Sequence, residues 1–204
     1  GLVTGENISS VNLVYTNKNA GTNKTISIGN AFGDSNTTLT NYIINYVNST
    51  NSTITAKSLT ITAATQTKTY DGTTNVASST GYNVTGLVTN ETISAVSLVY
   101  TDKNAGAGNK TIAITNATAG ANTTLANYII TYVNNTVSSI TPKTLTITAS
   151  TQNKTYDGLT TVTSNSAFTS SGLVTGESVS AVTLAYTDKN AGTSNKTIAV
   201  GNAT

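Results

Sequence analysis

The chain has 204 residues, ten lysines against eight acids for a net charge of +2, one proline, and no arginine, histidine, cysteine, methionine or tryptophan. Without histidine or cysteine there is no imidazole base, thiol nucleophile or disulfide, and the usual zinc, iron and copper ligands are missing, so neither a cofactor nor catalysis is expected. A small net charge without arginine argues against nucleic acid as a partner. Apolar runs of two or three residues, such as Ile43-Ile44 and Ile129-Ile130, leave no membrane span in this stretch, because a spanning helix needs about 20.

In chain order, the first recognisable feature is a segment that returns. Gly1-Leu2-Val3-Thr4-Gly5-Glu6 recurs at 86–91 and 172–177, Lys24-Thr25-Ile26 at 110–112 and 196–198, and Asn41-Tyr42-Ile43-Ile44 at 127–130. Lys68-Thr69-Tyr70-Asp71-Gly72 recurs at 154–158. The offsets are 85 or 86, the difference being one extra residue within 104–109. A period near 86 exceeds the roughly 20 to 50 residues of solenoid repeats and suits a small domain. The expected divisions are 1–56, the C-terminal part of one repeat; 57–142, a complete repeat; and 143–204, the N-terminal part of the next. On that reading the chain is a stretch of a longer tandem array.

Within the complete repeat, apolar residues alternate with polar ones at Leu59, Ile61 and Ala63, then at Val96, Leu98 and Tyr100, then at Ile112 and Ile114, and again at Tyr128, Ile130 and Tyr132. Val137 to Ile140 form a last strand. Period two marks half-buried strands, and Thr, Val, Ile and Tyr favour them. Turn formers separate the strands at 70–72, 102–106 and 116–124. No stretch has helical apolar spacing. Six or seven short strands in 86 residues predict an all-β fold, read as tandem immunoglobulin-like β-sandwiches with a β-grasp-like repeat as the alternative. Ile140-Thr141-Pro142-Lys143 joins consecutive repeats without a Gly/Ser linker, which predicts a stiff array.

Four motifs in fixed order, namely 68–74 (Lys-Thr-Tyr-Asp-Gly-Thr-Thr), 102–106 with 109–111, 125–128 (Leu-Ala-Asn-Tyr) and 140–143, give the chain its individuality. Together they resemble the YDG-type repeat of large bacterial surface proteins, found in tandem in filamentous-haemagglutinin-like adhesins. The resemblance implies a stalk or fibre at the extracellular bacterial surface, all-β and without catalysis, serving cell adhesion or biofilm matrix assembly. Implied partners are neighbouring repeats, other copies in a fibre, and host or bacterial glycans. The alternative functions are a glycan- or protein-binding adhesive module and a fibre subunit assembling by strand addition. The chain departs from the usual pattern at Thr124-Leu125-Ala126, where an Asp-Ala-Gly is customary, and at Ala56, where the first boundary lacks the proline.

Candidate site residues follow from these motifs. In Tyr70-Asp71-Gly72 and Tyr156-Asp157-Gly158, Asp should cap a turn, Gly supply a positive φ, and Tyr fold back onto the core. Tyr42 and Tyr128 are similar to the tyrosine corner of sandwich domains. Asp71, Glu91 and Asp102 are too sparse for a calcium site, which takes six to eight oxygens. Lys110, Glu91 and either Asn104 or Asn127 supply the residue types for an intramolecular Lys–Asn crosslink, provided that they meet in an apolar core.

Overall fold

The computed structural model describes residues 1–204, and the fold is all-β. Its strands in chain order are β1 (Ile8–Tyr15), β2 (Gly21–Gly33), β3 (Ser49–Ile54), β4 (Lys57–Ala63), β5 (Thr67–Thr69), β6 (Tyr82–Thr85) and β7 (Ile93–Tyr100). They continue as β8 (Gly106–Ala119), β9 (Tyr128–Val133), β10 (Asn135–Thr141), β11 (Thr146–Ala149), β12 (Phe168–Ser171), β13 (Val182–Tyr186) and β14 (Ile198–Ala203). The only helical segments are the 3-10 turns Leu39–Asn41 and Leu125–Asn127, too short to be the helix of a β-grasp repeat.

The strands form five small sheets, ordered β1-β2-β3, β6-β4-β9, β5-β10-β8-β7, β11-β12 and β13-β14. Most pairings with a resolved register are antiparallel. β4 and β9, however, run parallel with Leu59 opposite Ile130, and β5 and β10 run parallel with Lys68 opposite Ile140. An all-antiparallel sandwich lacks such pairs. They arise because the first strands of the middle repeat are hydrogen-bonded to its last ones.

Burial follows the alternation where a strand has neighbours on both sides. Leu59, Ile61, Ile112 and Ile140 are fully buried, as is nearly all of Tyr100. Each buried aliphatic side chain contributes about 1.5–3 kcal/mol over an exposed one. Ser138 is buried as well, its hydroxyl accepting the Gln66 N–H at 3.1 Å, so its polar atom is satisfied. At the far end of β9 the pattern lapses: Tyr128 is buried, whereas Tyr132 is 39% exposed. The equivalent of β9 in the first repeat, residues 43–47, forms no strand, and Ile43 stands fully in solvent.

By internal contacts the chain falls into two units. One comprises Gly1–Ala64, Ser78–Val99 and Ala113–Asn135; the other comprises Thr65–Ala77, Tyr100–Ile112 and Thr136–Thr204. The units do not follow the repeat divisions at 56/57 and 142/143. The first holds β1 to β4, β6 and β9 together with most of β7 and the latter half of β8. The second holds β5, β10, the start of β8 and all the later strands. Connections between repeats are direct: β3 ends at Ile54 and β4 begins at Lys57.

Candidate functional site

The Tyr-Asp-Gly turn is built around one carboxylate oxygen. Asp71 Oδ1 accepts the Thr73 N–H at 2.9 Å, the Thr73 hydroxyl at 2.9 Å and the Lys68 ammonium at 2.7 Å. The hydrogen bond from Lys68 and the backbone bond from Thr73 hold the Asp71 carboxyl down at about 2. Lys68 also donates to Thr73 O at 2.7 Å and lies 5.5 Å from the centre of the Tyr100 ring. The second copy repeats the design: Asp157 Oδ1 accepts the Leu159 N–H at 3.0 Å and Lys154 at 2.7 Å, and Lys154 lies 5.7 Å from the Tyr186 ring. Gly72 and Gly158 both have φ near +77°, a conformation that favours glycine. The turn therefore survives the change from Thr73 to Leu159, because its main bond goes to the backbone.

Tyr128 and Tyr42 close the opposite turn. Tyr128 Oη accepts the Val88 N–H at 3.0 Å and donates to Glu91; Tyr42 Oη accepts the Val3 N–H at 3.1 Å and donates to Glu6. Both phenols are pushed above their usual range, Tyr128 by burial and then by Glu91, Tyr42 chiefly by its bond to Glu6. The turn itself places a residue at positive φ just before the glutamate: Gly5 at 93°, Asn90 at 69° and Gly176 at 90°. Asparagine tolerates this region, so the middle copy keeps the turn without glycine.

Lys110 is buried and ion-paired with Asp102, and Lys196 is paired with Asp188. Asp102 also accepts the Asn104 N–H at 2.8 Å, and the Lys110 bond is the main cause that lowers its carboxyl. The structure thus gives Lys110 a charged carboxylate partner from the same hairpin. Glu91 goes to Tyr128, and the side chains of Asn104 and Asn127 do not meet Lys110. The lysine and asparagines named as crosslink candidates are not brought together, because Glu91 precedes β7 whereas Lys110 lies beside its end.

Two contacts join residues of different repeats. Tyr70 does not fold back onto the core; its hydroxyl donates to Glu177 Oε1, 107 residues along the chain. Gly72 lies beneath Val174, where an added Cβ would come within 2.8 Å of Val174 Cγ1. The Tyr70 hydrogen bond is the largest cause that lowers the Glu177 carboxyl, helped by the Val174 N–H and by the charges of Lys103 and Lys143. The other contact uses Asn127, whose Oδ1 accepts the Ala20 N–H at 2.8 Å and whose Nδ2 donates to Asn19 Oδ1 at 3.1 Å. Sequence reasoning missed Glu177, Val174, Asn19 and Ala20 as contact residues. The signal was there: Gly-Leu-Val-Thr-x-Glu occurs three times, each outside any strand.

A hollow of about 290 Å³ is lined by Gln152, Lys154, Tyr156, Tyr186, Asp188 and Lys196 among others. At the equivalent places in the middle repeat, Gln66 and Tyr100 bind β10, with Tyr100 donating to Ser139 O at 3.1 Å.

Comparison with known families gives one result: a model described as the YDG domain matches residues 55–136 and again residues 141–204. No curated protein and no solved structure matches the chain.

Proposed function

The chain belongs to the YDG domain family in two adjacent copies, and from that premise we propose that it is a stretch of a stalk or fibre in an extracellular bacterial adhesin, whose work is to set length and stiffness. One observation carries this reading: recurring motifs at the ends of the repeats bond to the adjoining repeat, Tyr70 to Glu177 of the following one and Asn127 to Ala20 of the preceding one. The two-residue connection from β3 to β4 also favours stiffness over a string of loosely tethered beads. A chain rich in hydroxyls and amides and free of cysteine and methionine suits an oxidising exterior.

Two measurements test the reading. Antibody labelling of intact bacteria producing the native protein should reach this segment at the surface, and the purified chain should give no saturable signal on a glycan array. Clear saturable binding would instead make the repeat an adhesive module, and labelling only after lysis would overturn the surface assignment.

A further inference from the structure

Each end of the middle repeat gathers two of the recurring motifs. At one end the Tyr-Asp-Gly turn lies beside the loop that follows β7: the Tyr100 N–H donates to Thr74 O at 2.9 Å, and Lys68 sits over the Tyr100 ring. At the other end the Gly-Leu-Val-Thr-x-Glu turn is tied to the Leu-Ala-Asn-Tyr turn through Tyr128, Val88 and Glu91. The contacts between repeats pair these ends in two ways. Asn19-Ala20 of the first repeat, equivalent to Asn104-Ala105, meets Asn127 of the second. Tyr70 and Gly72 of the second meet Glu177 and Val174 of the third, where Lys103 adds its charge.

We infer that these motifs are a docking interface between consecutive repeats. The Tyr-Asp-Gly turn and the Asn-Ala-Gly loop of one repeat form a plug, and the Val-x-x-Glu and Leu-Ala-Asn-Tyr turns of the next form its seat. The surface at Val88 and Glu91 is then a seat whose occupant is the Tyr-Asp-Gly turn of another repeat of this kind, and Tyr156 belongs to a plug for a further seat.

Exposure supplies an internal control. Where plug and seat meet, Tyr70 and Val174 are half-buried. Where the same residues have no counterpart against them, Tyr156 is 61% exposed, Val3 67% and Val88 49%. The motif tyrosine and valine are thus more covered where the partner motif stands opposite. The chemistry is selective: a phenol that donates to a carboxylate, a glycine with no Cβ to strike a valine, and a side-chain amide that reads a backbone N–H. Singly these bonds are weak at a surface, but the covalent chain supplies a high effective concentration, so a small interface can stay closed.

The inference stands apart from the adhesin reading, which surface labelling tests separately. Because the chain has no cysteine, spin labels can be placed at will on the full 204-residue protein, at Thr136 and Ser170 across the second junction and at Ser10 and Asn83 across the first. Electron–electron resonance should give a narrow distance distribution in each case. Y70A with V174S should at least double the width across the second junction only, and N127A should broaden the first only. Y156A should change neither, although it alters the same motif. Circular dichroism of every variant checks that the strands persist. Widths unchanged in Y70A/V174S and N127A, or equal broadening in Y156A, would overturn the docking interface.

Discussion

Tyr70 and Glu177 share a hydrogen bond across 107 residues of chain, and both lie in recurring motifs of the repeat. Tyr70 gives its motif its first letter, yet its hydroxyl serves the next repeat rather than its own. The Asp and Gly of the motif shape the turn that presents it.

The junction should have a pH window. Glu177 is held below its ordinary 4.5 in the folded chain, first by the Tyr70 hydrogen bond, so its contribution is complete above that value and fades as pH falls through the lowered one. Tyr70 is raised above 10, first by the same bond, so its share is complete below pH 10 and fades at higher pH. The label distribution across the second junction should stay constant from about pH 5 to 9 and broaden on both sides. E177Q should remove the acid limb and leave the alkaline one; an acid limb of full size in E177Q would refute the assignment.

Gly72 and Gly158 separate turn from junction. Both sit at φ near +77°, so alanine strains each turn by about 1–2 kcal/mol. Only Gly72 has Val174 above it; the nearest atom to a Cβ at Gly158 is Tyr156 Oη at 3.9 Å. G72A and G158A should therefore lower local stability alike in hydrogen exchange, but G72A alone should broaden the second junction.

Leu59 and Leu145 occupy equivalent positions in consecutive repeats, yet Leu59 is fully buried and Leu145 is 42% exposed. Leu59→Ala should cost about 2–5 kcal/mol in denaturant unfolding, as cavity-forming core truncations do. Leu145→Ala should cost less than about 1 kcal/mol, because the site is already open to water. Equal costs would show that Leu145 is packed in solution as Leu59 is.

What could be read in the residues was local. The alternation at Leu59, Ile61 and Ala63 announces a strand with one buried face, and Asp71-Gly72 announces a turn, because both depend on neighbours within a few positions. Period two is silent about direction, so nothing in Lys57–Ala63 foretells that β4 runs parallel to β9. Nor does it report strand partners: 43–47 carries nearly the residues of β9 and forms no strand. Lys110 looked like a candidate for Glu91 because type and recurrence were visible, whereas its actual partner, Asp102, is set by the hairpin that brings residues eight apart face to face. The role of Tyr70 was hidden for the same reason at a longer range, since its acceptor lies more than a repeat length away.

The two ends of a repeat are different surfaces, one carrying Tyr70 and the other Val88 and Glu91. Contacts of this head-to-tail kind do not close on themselves as a two-fold dimer does. Inserting a whole unit therefore leaves every neighbour facing the surface that it faced before, and so does removing one. A change in repeat number needs no compensating substitution at these surfaces.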